Sequence, residues 1–133
     1  MAVRVSLLDR ADALLAEAGR SRDPSDRFRA AYLAALRGAG AALAGRTPRC
    51  RSRSAWVLLS RADPELAGWA DYFAAHSETR AAIEAGISRT VTAAEADRFH
   101  SEVSRFLTAV EDRLAAVGAL AGRGDGSLAR ASA

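Results

Sequence analysis

Apolar residues return every three or four positions through most of this 133-residue chain, a spacing that belongs to helices and not to strands. In the first stretch Leu7, Leu8, Ala11, Leu14, Leu15 and Ala18 share one face, and Gly19 is placed to cap the C-terminus. This predicts a helix over about residues 3–18. The second stretch opens with Asp23 as N-cap, Pro24 at the first helical position and Asp26 in the first turn, where the macrodipole favours an anion. It should run to about Leu43 with a core stripe of Phe28, Tyr32, Ala35, Leu36, Ala39 and Leu43. Ala31, Ala34, Gly38 and Ala42 form a second face of small residues, a surface on which a second copy of the chain could dock. A homodimer is therefore expected.

Ser54 can cap a short helix, AWVLLSRA, that stops at Asp63 because Pro64 disfavours helical geometry in its predecessor. Asp63 then caps a helix expected to be continuous from Pro64 to Gly86, with Leu66, Trp69, Phe73, Ile83 and Ile87 on its buried stripe. Thr92 and Glu95 have capping-box spacing, and the helix after them carries Phe99, Val103, Phe106, Leu107, Val110, Leu114 and Val117. Residues 119–133 hold too little apolar surface to repay ordering and read as a disordered tail. The expectation is one all-α domain over residues 1–118, a compact, mainly antiparallel bundle of four to five helices.

Composition narrows the setting more than the function. All 19 basic residues are arginine, and no apolar run approaches the roughly 20 residues that span a bilayer. The N-terminus reaches Asp9 without a signal-peptide core, so a cytoplasmic protein with no membrane association is expected. A single Cys50 and two histidines make a poor zinc site, and no metal or cofactor is expected. Charge is unevenly spread. Residues 46–61 carry five arginines and no acid, whereas residues 62–133 carry seven arginines against eleven acidic residues, a net −4.

Two features hold candidate chemistry. The loop GRTPRCRSRS places Arg46, Arg49, Arg51 and Arg53 around Pro48, which prevents a regular helix through them. They form either a phosphate-gripping arm or a solvated connector. The loop lacks the aromatic rings that single-strand binders stack on bases. On the following helix, 100° per residue turns His76 and Arg80 to the same side as Trp69 and Phe73, where the core should be. Arginine is rarely buried without a partner. Trp69, His76 and Arg80 therefore mark either an internal hydrogen-bond network or a groove open to a ligand or substrate. Phosphate-binding glycine loops, the H-E-x-x-H helix and paired Glu-x-x-His motifs are all missing.

The blocks RSAWVLL (53–59), PELAGWADYFAA (64–75), EAGISRTVTAAEAD (84–97) and FLTAVED (106–112), in this order, resemble the small stand-alone HEPN proteins of actinobacteria. The resemblance covers most of residues 5–117 and is carried chiefly by the two tryptophan-bearing blocks. It implies a HEPN-type helical bundle, frequently dimeric, in a superfamily with many RNA-cleaving or RNA-binding members. It also implies a test, since catalytic HEPN ribonucleases carry an Arg-x4–6-His pair. At the required spacing before His76 stand Trp69, Ala70 and Asp71, and before His100 stand Ala93, Ala94 and Glu95. Neither histidine has its arginine, so that active site does not transfer to this chain. The resemblance thus implies a non-catalytic module that binds RNA, a nucleotide or a partner protein. The alternative is a rearranged, metal-independent ribonuclease centred on His76 and Arg80.

Overall fold

The computed structural model describes residues 2–87 and 91–132, with side chains described for 6–87 and 91–120. Three long helices, α1 (Ala2–Arg20), α2 (Pro24–Leu43) and α6 (Ala93–Ser132), pack on one another. Only residues 21–23 join α1 to α2, so the two form an antiparallel hairpin. The side of this frame is closed by α3 (Ala55–Ala62), a 3-10 turn (Pro64–Leu66), α4 (Ala67–Ala75) and α5 (Ser77–Glu84). The described residues contain no strand, and the all-α bundle expected from periodicity is what forms. No helix among them is long and apolar enough to cross a membrane. The helix α6 is continuous to Ser132, so the backbone has no break at residue 119, and side chains of the tail from 121 onward lie outside the described residues.

Local chemistry explains most of the ends. The Asp23 carboxylate accepts from the Asp26 N–H at 3.0 Å with Pro24 in the first turn. The helix α5 ends in a Schellman arrangement, with Ile87 N–H donating to the Ala82 carbonyl and Gly86 N–H to that of Ile83. Gly86 has φ +80°, which only a glycine adopts without strain. Gly19 behaves otherwise than expected. It lies inside α1, and a Cβ there would sit 3.3 Å from Nε2 of His100, so its role is to admit that ring. His100 Nε2–H donates to the Leu15 carbonyl at 2.9 Å and ties α6 to α1. Ser54 stands at the N-cap of α3 but its side chain makes no capping bond.

Two larger expectations need correction. The small-residue face of α2 is consumed inside the chain: Ala31 and Ala34 are fully buried, Ala42 nearly so, and Gly38 lets α6 approach so closely that a Cβ would meet Leu107 Cδ2 at 2.5 Å. It offers nothing to a second copy. The single helix expected from Pro64 to Gly86 is instead three pieces, broken at His76 (φ −95°, ψ 0°). At the break the His76 ring bonds the Tyr72 carbonyl at 2.7 Å and the Ser77 hydroxyl donates to that of Ala74 at 2.8 Å. These side chains satisfy carbonyls that a continuous helix would have bonded through its backbone.

Candidate functional site

The break at His76 opens a cleft of about 450 Å³ between α2, α4, α5 and α6, within the range of about 300–1,000 Å³ usual for small-molecule sites. Its floor is aromatic. Phe28 and Phe99 stack with centroids 4.1 Å apart, the His76 ring lies 5.2 Å from Phe99, and Tyr72 lies 4.5 Å from His76. Phe28 and Phe99 are buried, whereas Tyr72 and His76 are half-exposed. Because a carbonyl only accepts, His76 Nδ1 carries the proton shared with Tyr72, and in the neutral ring Nε2 keeps its lone pair.

The rim is polar and comes mostly from α6. Glu95, Arg98, Phe99 and Glu102 fall at i, i+3, i+4 and i+7, a single face of that helix, and Thr79 faces them from α5. Burial pushes the Tyr72 hydroxyl above its ordinary pKa, the Glu102 charge adds to that, and Arg98 opposes it. The capping box at the start of α6 is half made. Thr92 Oγ1 accepts from the Glu95 N–H at 3.1 Å, but the Glu95 carboxylate has no partner among the described residues and remains on the cleft rim.

The groove trio expected from the sequence is divided. His76 lines the aromatic cleft, while Trp69 lines a separate depression of about 360 Å³ with Ser104, Arg105 and Asp112. The Arg80 guanidinium lies 5.3 Å from the centroid of the Tyr32 ring, one turn along α2 from Phe28. His76 and Arg80 thus pair with rings on successive turns of α2, Phe28 and Tyr32. Although it named Phe28 as core and Glu95 as a cap, the sequence reading did not assign Phe28, Tyr72, Glu95, Arg98 or Glu102 to a site. The spacing of the last three around Phe99 was the available signal, but charged residues at such spacing usually mark a solvated face.

The arginine loop is divided as well. Arg46 does not belong with the exposed set: its Nε donates to the Ala42 carbonyl at 3.1 Å, and its guanidinium lies 3.6 Å from the buried carboxylate of Asp63. Asp63, only 2% exposed, also takes a two-point bond from Arg113 at 3.0 and 3.2 Å and caps the 3-10 turn through the Glu65 N–H. Burial pushes this carboxyl up, but the Arg113 bonds, the Glu65 N–H and the charges of Arg113 and Arg46 outweigh it and hold the pKa below its ordinary value. Arg49, Arg51 and Arg53 are exposed. At the far end of the loop, Trp56 is buried and its Nε1–H donates to the Tyr32 hydroxyl at 2.8 Å. The loop therefore returns along α2 from Ala42 to Tyr32, about 15 Å at 1.5 Å per residue.

The family model for SAV_6107-like HEPN proteins matches residues 18–111. The chain belongs to the HEPN family. The matched span contains every residue lining the cleft and the whole arginine loop. No curated protein and no solved structure matches the chain. Within this HEPN bundle the Arg-x4–6-His pair is missing, and of the reversed pair His76 lies against Phe99 and Arg80 over the Tyr32 ring.

Proposed function

We propose that this HEPN domain is a non-catalytic module that binds single-stranded RNA or a nucleotide. The observation that carries the reading is the aromatic cleft itself, with the half-exposed rings of Tyr72 and His76 beneath a rim that includes Arg98. Such rings supply a stacking surface for a base, the element missing from the arginine loop. The order of residues along α2 supplies the rest. The loop ends beside Tyr32, Arg80 covers that ring, and the cleft opens one turn further at Phe28. A nucleic-acid strand with its phosphates on Arg49, Arg51 and Arg53 would pass Arg80 and place a base over Tyr72 and His76. Phosphate contacts fix its position and the cleft selects among bases.

Tyr72→Ala tests the reading, because loss of one stacked base costs about 1–3 kcal/mol. Affinity for a labelled single strand should fall by roughly 5-fold or more, with the strand recovered intact. Unchanged affinity would remove the cleft from the binding surface. Cleavage by the wild type that disappears in His76→Ala would replace the binding module with a ribonuclease built on His76.

A further inference from the structure

We propose that the cleft prefers guanine over the other three bases, and that Glu95 is the residue that reads it. The inference rests on the RNA-binding reading and specifies the base that the same site takes. A carboxylate is an acceptor on both oxygens and donates nothing. Guanine matches it, since its ring N–H and its amino group lie side by side as two donors on one edge. Adenine and cytosine set their amino group beside a ring nitrogen whose lone pair would face the carboxylate. Uracil has one N–H between two carbonyls.

The free carboxylate on the rim is that of Glu95. It has no hydrogen bond or ion pair among the described residues, whereas one oxygen of Glu102 accepts from Arg105 at 3.2 Å. Glu95 and Glu102 are two helical turns apart, about 10 Å along α6, with Arg98 between them. That mixed rim argues against a simple cation as ligand, because Arg98 would repel it, and for a neutral ring with donors on one edge and acceptors on the next. Arg98 can donate to the keto oxygen and neighbouring ring nitrogen of guanine, the pairing that arginine makes most often with this base. Tyr72 and His76 supply the stacking surface under the ring.

The test is the affinity of the full chain, by fluorescence anisotropy at one salt concentration, for labelled hexauridylate and for the same strand with one internal uridine replaced by guanosine, adenosine or cytidine. The single guanosine should improve binding about 5- to 10-fold over the other three, at the low end for a two-point base contact because Glu95 is exposed. Glu95→Gln keeps the helix-capping N–H and replaces one acceptor by a donor, so the guanine preference should vanish. Arg49→Gln, Arg51→Gln and Arg53→Gln together should weaken all four strands while leaving the preference unchanged. Equal binding of the four strands by the wild type, or a guanine preference that survives Glu95→Gln, overturns the inference and leaves the RNA reading standing. Failure of the wild type to bind any of the four overturns both.

Discussion

Asp63→Ala removes a buried carboxylate that bonds to several elements at once, and its cost follows from the partners it deserts. The carboxylate receives two bonds from Arg113, one from the Glu65 N–H and the charge of Arg46, at 2% exposure. Loss of a helix cap costs about 1 kcal/mol, and removing one member of a buried ion pair costs about 3–5 kcal/mol. The second figure must be reduced, because Arg113 is one-third exposed and Arg46 about one-fifth, so water recovers part of their solvation. A total of about 2–4 kcal/mol remains, which at roughly 4 °C per kcal/mol lowers the melting temperature by about 8–16 °C. Thermal melts followed by circular dichroism measure it. The pH dependence gives a second check with a definite sign. A carboxyl whose folded pKa lies below its unfolded value of 3.8 contributes stability that is complete above 3.8 and is lost as pH falls through the folded pKa. The gap between wild type and Asp63→Asn should therefore be constant near neutral pH and close below about pH 4. Asp12 works in the other direction, since burial and the neighbouring Asp9 push its carboxyl up, and it is common to both proteins. A melting temperature for Asp63→Ala within about 3 °C of wild type would refute the assignment of Asp63 as the anchor between α3 and α6.

Two glycines of α2 should respond oppositely to alanine. Gly40 has nothing within 4 Å of a new Cβ, so Gly40→Ala should stabilise by about 0.5–1 kcal/mol in a denaturant titration. Gly38→Ala drives a methyl into Leu107 and should lose about 1–2 kcal/mol after the gain in helix propensity is deducted; equal responses would mean that α6 shifts freely. Trp56→Phe leaves the buried Tyr32 hydroxyl without its donor and should cost about 1–2 kcal/mol by the same titration. Deleting residues 119–133, where Leu120 is 64% exposed, should move the melting temperature by less than about 3 °C, and a larger loss would show that the tail docks.

What could be read from the sequence was set by contacts between near neighbours. Asp23 with Pro24, the Gly86 terminus and the stripe from Phe99 to Val110 all follow from residues within a turn or two of one another, and the structure places them as expected. The break at His76 was hidden because helical periodicity assumes an unbroken backbone, whereas the histidine and serine side chains there compete for carbonyls. Arg46 could not be separated from its neighbours in the loop, since its ion pair with Asp63 forms only once α3 has packed against α2. The cleft was out of reach for the same reason. Its rings come from α2, α4 and α6, and only the packed bundle brings Phe28 within 4.1 Å of Phe99. Arg80 was expected on the side of Trp69 and Phe73, and the ring it covers is Tyr32 of α2, which periodicity along its own helix could not name.

The central claim, that this HEPN domain holds nucleic acid by its arginine loop and cleft, is tested most directly by the salt dependence of single-stranded RNA binding. Each neutralised phosphate contributes about 0.7 to the slope of log affinity against log salt. Three loop contacts from Arg49, Arg51 and Arg53 therefore make the wild-type slope steeper, by about 2, than that of a variant with all three replaced by glutamine. Arg46 stays in both proteins because its guanidinium is committed to Asp63 and the Ala42 carbonyl. A triple variant with a flatter slope and weaker binding to every strand is the predicted result. Wild type and variant with the same affinity and the same slope would contradict it, and would make the loop a solvated connector.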